Sequence, residues 1–196
     1  MPIDASERTA DRPVDEVGEG SFPASDPPAW TVAHTGSPTR LPRRPAAEER
    51  MDAWRVAPAA FKAMVGLQGY VERCGLEASL LDLVKIRASQ INGCAFCIAM
   101  HVREARARGE SDERMHLLNA WREAPLYSRR ECAALAWTEA VTLVTEGHVP
   151  DAVYRQARQQ FSDKELVDLT CAAVAINGWN RFSIAFRSVP ETTPPN

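Results

Sequence analysis

No stretch of the chain approaches the roughly 20 consecutive apolar residues that a membrane-crossing helix needs. The first residues, Met1-Pro2-Ile3-Asp4-Ala5, are polar and hold no apolar signal core. A cytoplasmic protein with no membrane partner is therefore expected. Neither sign of charge dominates: 23 Lys and Arg stand against 26 Asp and Glu, a net charge of −3. The chain thus lacks the basic footprint that nucleic acid or an anionic surface requires. Alternating β-branched runs are absent, which argues against sheet. Cysteine is scarce and odd in number, five in 196 residues, which argues against a secreted disulfide framework. In a reducing compartment, a close cysteine pair points to catalysis or metal binding rather than to a structural staple.

What is present divides the chain in two. Eight of the 14 prolines fall within the first 47 residues, among Ser, Thr, Asp and Glu. Such a segment buries too little apolar surface to offset its chain entropy, so residues 1–46 are expected to be a disordered tail. Within it, Ser21-Phe22-Pro23-Ala24-Ser25-Asp26-Pro27-Pro28-Ala29-Trp30 is an extended Pro-rich strip with aromatic ends, readable as solvated chain or as a docking segment. Residues 191–196 are expected to be a second disordered end. From 47 to 190 the pattern is helical, and an all-α bundle of seven to eight helices is expected. The helices read as Glu48 to Val56, Pro58 to near Gly75, Glu77 to Ile91, the cysteine segment to Gly109, and Ser111 to before Pro125. The last three read as Ser128 to Gly147, a helix after Pro150, and Ser162 towards Phe186. Ser128-x-x-Glu131 and Ser162-x-x-Glu165 are capping boxes. Ile91-Asn92-Gly93 recurs as Ile176-Asn177-Gly178, which suggests two helical pairs packed on each other.

The chemistry concentrates in Gly93-Cys94-Ala95-Phe96-Cys97-Ile98-Ala99-Met100-His101. Positions i, i+3 and i+7 share one helical face, so two sulfurs and an imidazole line one stripe. Asn92-Gly93 signals a turn, which places Cys94 at a helix start, where free N–H groups favour a thiolate. A reactive dithiol with a base beside it is one reading. Two ordinary buried cysteines with a core histidine is another. A metal site is a third, although one more ligand beyond Cys94, Cys97 and His101 would be needed, with Asp82 as the candidate. Asp82 also reads as half of a solvated helix pair with Lys85 at i+3. Cys74, Cys132 and Cys171 read as structural, and His116 and His148 as surface. Trp121, Trp137 and Trp179 read as anchors for the core or a subunit interface, with Trp179 also a candidate pocket wall. Arg181 reads as reaching a carboxylate or a partner subunit.

The run from Leu81 to His101, including Ser89-Gln90-Ile91-Asn92-Gly93-Cys94-x-x-Cys97-x-x-x-His101, closely resembles the carboxymuconolactone decarboxylase superfamily and, within it, the alkylhydroperoxidase D-like branch. The likeness continues through Leu117 to Arg122, Ala133 to Trp137, Glu165 to Leu169 and Ile176 to Arg181, covering about residues 50 to 190. The resemblance implies an oligomeric helical fold and a thiol peroxidase that reduces organic hydroperoxides without a cofactor. It implies Cys97 as the attacking thiol, Cys94 as the resolving thiol, and His101 as the base working with a carboxylate at Asp82, where the family usually has Glu. It also implies a dithiol or lipoyl-bearing protein as reductant. Decarboxylases of the superfamily generally lack the cysteine pair. The contrasting expectation is a non-catalytic oligomeric redox sensor or interaction module.

Overall fold

The computed structural model describes residues 48–190. The expected disordered tail at 1–46, its Pro-rich strip and the end at 191–196 lie outside the described residues. Among the described residues the secondary structure is entirely helical. The order is α1 (Ala53–Val56), α2 (Pro58–Glu72), α3 (Ala78–Asn92), α4 (Ala95–Ala107), α5 (Asp112–Leu117), α6 (Arg129–Thr142), α7 (Asp151–Arg158) and α8 (Asp163–Phe186), with a 3-10 turn at Leu118–Ala120.

Local signals set most of these ends. Pro58 opens α2, where its missing N–H costs nothing. Ser111, Ser128 and Ser162 accept hydrogen bonds from the third backbone N–H of α5, α6 and α8, and Glu131 and Glu165 complete capping boxes. Three helices are shorter than their patterns suggest. The segment before α1 stays non-helical because Arg50 is tied to the end of α8, its N–H donating to Phe186 O and its guanidinium to Ala185 O. α5 tightens into the 3-10 turn at Leu118, whose side chain is fully buried. α6 ends at Thr142, and turns carry the chain to Gly147 at φ 106°.

The hydrophobic core is built around α3, which is buried from Leu80 to Ile86 and again at Ala88 and Ser89. It packs against α4, α6 and α8. Leu83, Ile86, Leu118 and Leu135 are fully enclosed, each contributing about 1.5–3 kcal/mol by burial. Trp121 and Trp137 are buried in their own chain and donate their indole N–H groups to Glu139 and Thr170. They are core residues of this chain. Arg181 turns back to its own helix, onto Asn177.

The repeated Ile-Asn-Gly motif acquires a physical meaning. Asn92 Nδ2 donates to Asn177 Oδ1 at 2.9 Å and to Asn180 Oδ1 at 2.8 Å. Asn180 in turn donates to Ser89 Oγ at 3.0 Å. The two copies thus bond α3 to α8. Their glycines play different parts. Gly178 lies inside α8, packed on Met64. Gly93 ends α3 in the left-handed region at φ 69°, and the Cys94 N–H returns to Ser89 O. A Cβ at Gly93 meets no neighbour within 4 Å. Gly93→Ala is therefore expected to lower unfolding stability by about 1–2 kcal/mol, the cost of the left-handed backbone alone. A denaturation midpoint unchanged from the parent would contradict this.

Candidate active site

The Gly93 turn starts α4 immediately after α3, so the new helix folds back on the old one. Cys94 is the N-cap of α4, and its Sγ accepts from the Cys97 N–H at 3.3 Å. The residues of α4 buried against the core are Cys97, His101 and Ala105, each one turn beyond the last. Cys94 and Cys97 are joined as a disulfide, with Cα atoms 5.4 Å apart. They pack with Ala88 and Ile176, against Phe96 and Trp179.

The two sulfurs face different surroundings. Cys97 lines a cleft of about 750 Å³, and Cys94 is not among the residues that line it. One wall is aromatic: Phe61 lies tilted between Trp54 at 4.5 Å and Phe182 at 4.9 Å between ring centroids, with Trp179 6.0 Å away. Trp179 thus forms pocket wall. The other wall is charged, formed by Asp82 and Lys85 of α3 and by His101, Glu104 and Arg108 on and just beyond α4.

His101 Nδ1 lies 2.9 Å from Glu104 Oε2. A carboxylate only accepts, so Nδ1 carries the proton and Nε2 keeps its lone pair. Burial holds His101 below the ordinary imidazole value of 6.5, and the nearby Lys85 acts in the same direction, while Glu104 and Asp82 oppose them. The imidazole is therefore neutral at pH 7 and able to take a proton. Protonating it in the folded protein is harder than in the unfolded chain. Its share of stability is thus complete above pH 6.5 and lost as pH falls below it. Glu165, held at about 2 by the Ser162 cap and by Arg130, loses its share only in a lower window. Denaturation midpoints are expected to fall as pH drops from 7 towards 5, and His101→Gln is expected to flatten that slope. An equal slope in the variant would contradict the assignment.

Asp82, expected beside His101, is instead gripped by Arg108. Arg108 Nε donates to Oδ2 at 2.7 Å and Nη2 donates to Oδ1. The carboxylate that touches His101 is Glu104, and Asp82 acts on it through space. Asp82 and Lys85 do not form the solvated pair their spacing suggests: both are buried, and Asp82 has spent both oxygens on Arg108. Glu104 is the i+3 neighbour of His101, a spacing that is visible in the sequence and lies outside the Cys-x-x-Cys-x-x-x-His string. Among the described residues no cluster of three or more His, Cys, Asp or Glu is placed to hold a metal. Nor is any described helix long and apolar enough to cross a membrane. Cys74, Cys132 and Cys171 are free and half-buried, away from the cleft, while His116 and His148 are exposed.

A helical scaffold that holds a close cysteine pair as a disulfide, one sulfur of it lining a cleft with an imidazole one turn on, fits a redox disulfide. The carboxymuconolactone decarboxylase family profile matches residues 58–140. The protein YdfG of Bacillus subtilis is 40% identical over 137 residues, 70% of this chain and 93% of its own. The crystal structure of ATU0492 from Agrobacterium tumefaciens is 44% identical, with a TM-score of 0.73 over 74% of this chain and all of that one. An alkylhydroperoxidase AhpD core protein from Ralstonia eutropha, 18% identical, shares the fold over 70% of this chain and 74% of its own, with a TM-score of 0.63. The chain belongs to the carboxymuconolactone decarboxylase family, in its alkylhydroperoxidase D-like branch.

Proposed function

We propose that this chain is a thiol-dependent peroxidase that reduces organic hydroperoxides in antioxidant defence, cycling Cys94 and Cys97 between dithiol and disulfide. The observation that carries the reading is the asymmetry of the pair: Cys97 lines the cleft with His101, and Cys94 sits behind it. ATU0492 is described as a protein of unknown function proposed to be the antioxidant defence protein AhpD, which supports the same reading.

In the proposed cycle, reduced Cys97 gives its proton to His101 Nε2. The thiolate attacks the terminal peroxide oxygen, the O–O bond breaks, and the alkoxide leaves with the proton from His101. Cys97 becomes a sulfenic acid and the hydroperoxide an alcohol. The Cys94 thiol then attacks Cys97 Sγ, expelling water and closing the disulfide. A dithiol, such as a lipoyl-type group on a partner protein, reduces it by exchange. Glu104 keeps the imidazole in the tautomer that can accept the proton.

The test is turnover. Reduced protein supplied with cumene hydroperoxide and dihydrolipoamide is expected to consume many equivalents of peroxide per chain. Consumption of one equivalent, with no further reaction when reductant is replenished, would identify a sensor and overturn the reading.

A further inference from the structure

Lys85 is the unexplained charge of the cleft. It lies in α3, is 9% exposed and lines the cavity. Every other charge lining it has a partner or is exposed. Asp82 is held twice by Arg108. Glu104 holds His101 and stands 3.8 Å from Arg108. Glu72, bonded by Gln68, and Glu49 are exposed. Among the described residues no carboxylate comes within 4.0 Å of the Lys85 ammonium. A nearly buried side chain that lines a cavity and ends in an ammonium with no carboxylate of its own offers that charge to an anion entering the cleft.

The opposite wall is built for a different chemistry. Trp54, Phe61, Trp179 and Phe182 form a continuous aromatic surface, with Phe61 buried and Trp54 largely exposed at the mouth. Such a wall accepts a hydrocarbon and gives it no polar partner. Phe96 and Trp179 pack on the cysteine pair, so Cys97 lies where the aromatic wall meets the charged one.

We propose that Lys85 makes the cleft selective for amphipathic hydroperoxides that carry a carboxylate, such as those of fatty acids. Their acid group pairs with the ammonium and their hydrocarbon lies on the aromatic wall. This inference rests on the peroxidase reading for its catalytic half, and its binding half stands apart from it. Lys85 is a specificity residue here and takes no part in the O–O cleavage.

The experiment compares linoleic acid hydroperoxide with its methyl ester by kcat/KM. In parallel it compares the two corresponding alcohols, which cannot react, by quenching of tryptophan fluorescence. In the parent protein the acid is expected to be preferred over the ester by about tenfold to a hundredfold, the range of a hydrogen bond to a charged group. Lys85→Met is expected to bring that ratio close to one in both measurements. Lys85→Arg, which keeps the charge, is expected to restore most of it and shows that the site still folds. Equal affinity for acid and ester in the parent protein would overturn the proposal. So would a preference that survives Lys85→Met. A parallel loss for acid and ester in Lys85→Met, with their ratio intact, would mean that the lysine serves the thiolate rather than the substrate, and would also overturn it. If no hydroperoxide turns over while the alcohols still bind with a Lys85-dependent preference for the acid, the peroxidase reading fails and the anion site stands.

Discussion

Cys97→Ser is expected to abolish hydroperoxide consumption completely, while Cys94→Ser is expected to consume one equivalent and stop. The difference follows from where the two sulfurs sit. Cys97 lines the cleft, whereas Cys94 caps α4 and does not line it, and both are buried in the disulfide form. Serine in place of Cys97 removes the one sulfur of the pair that lines the cleft. Serine in place of Cys94 leaves the attack intact and removes the resolving thiol, so the sulfenic acid persists and a dimedone probe can trap it. The position in the helix contains a competing effect. The thiol nearest the helix start gains most from the dipole, and that thiol is Cys94. Cys97 is still within the first turn of α4, and it has His101 one turn further along the same face. Peroxide counting by stopped flow separates the outcomes. If Cys97→Ser consumes one equivalent and Cys94→Ser none, the roles are reversed.

His101→Ala is expected to slow peroxide turnover by about 10²–10⁴-fold, the contribution of one positioned acid–base group. The imidazole is buried, held below its ordinary value and bonded at Nδ1 to Glu104; in the proposed cycle Nε2 receives the thiol proton and returns it to the alkoxide. Because His101 titrates below 6.5, the acid limb of kcat/KM is expected below that pH, where protonation removes the base. Glu104→Gln removes the stronger of the two groups that oppose burial, so this limb is expected to move further towards acid. Asp82→Asn acts differently. It releases Arg108 rather than His101, so its cost is expected to be smaller than that of His101→Ala. A rate in His101→Ala within a factor of about three of the parent would remove the histidine from the mechanism.

The sequence by itself determined the helices, their caps and the stripe. Capping boxes at Ser128 and Ser162, the stop at Gly93 and the succession Cys97, His101, Ala105 depend on hydrogen bonds and spacings within a few residues. The helical period places such groups wherever the helix goes. Only the tertiary structure decided who meets whom across the fold. Asp82 reads locally as a partner of Lys85 or of the histidine, yet it belongs to Arg108, 26 residues away, because α4 folds back along α3 and delivers the guanidinium to it. That return leaves Lys85 buried without a carboxylate, and leaves Glu104 as the group on His101. The aromatic wall joins α1 and α2 to α8, more than a hundred residues further along, and the Asn92–Asn177 bond spans 85. Local spacing specifies which face of a helix a residue occupies. The charge or ring opposite that face is set by how the helices pack, and the chemistry of the cleft is made of those oppositions.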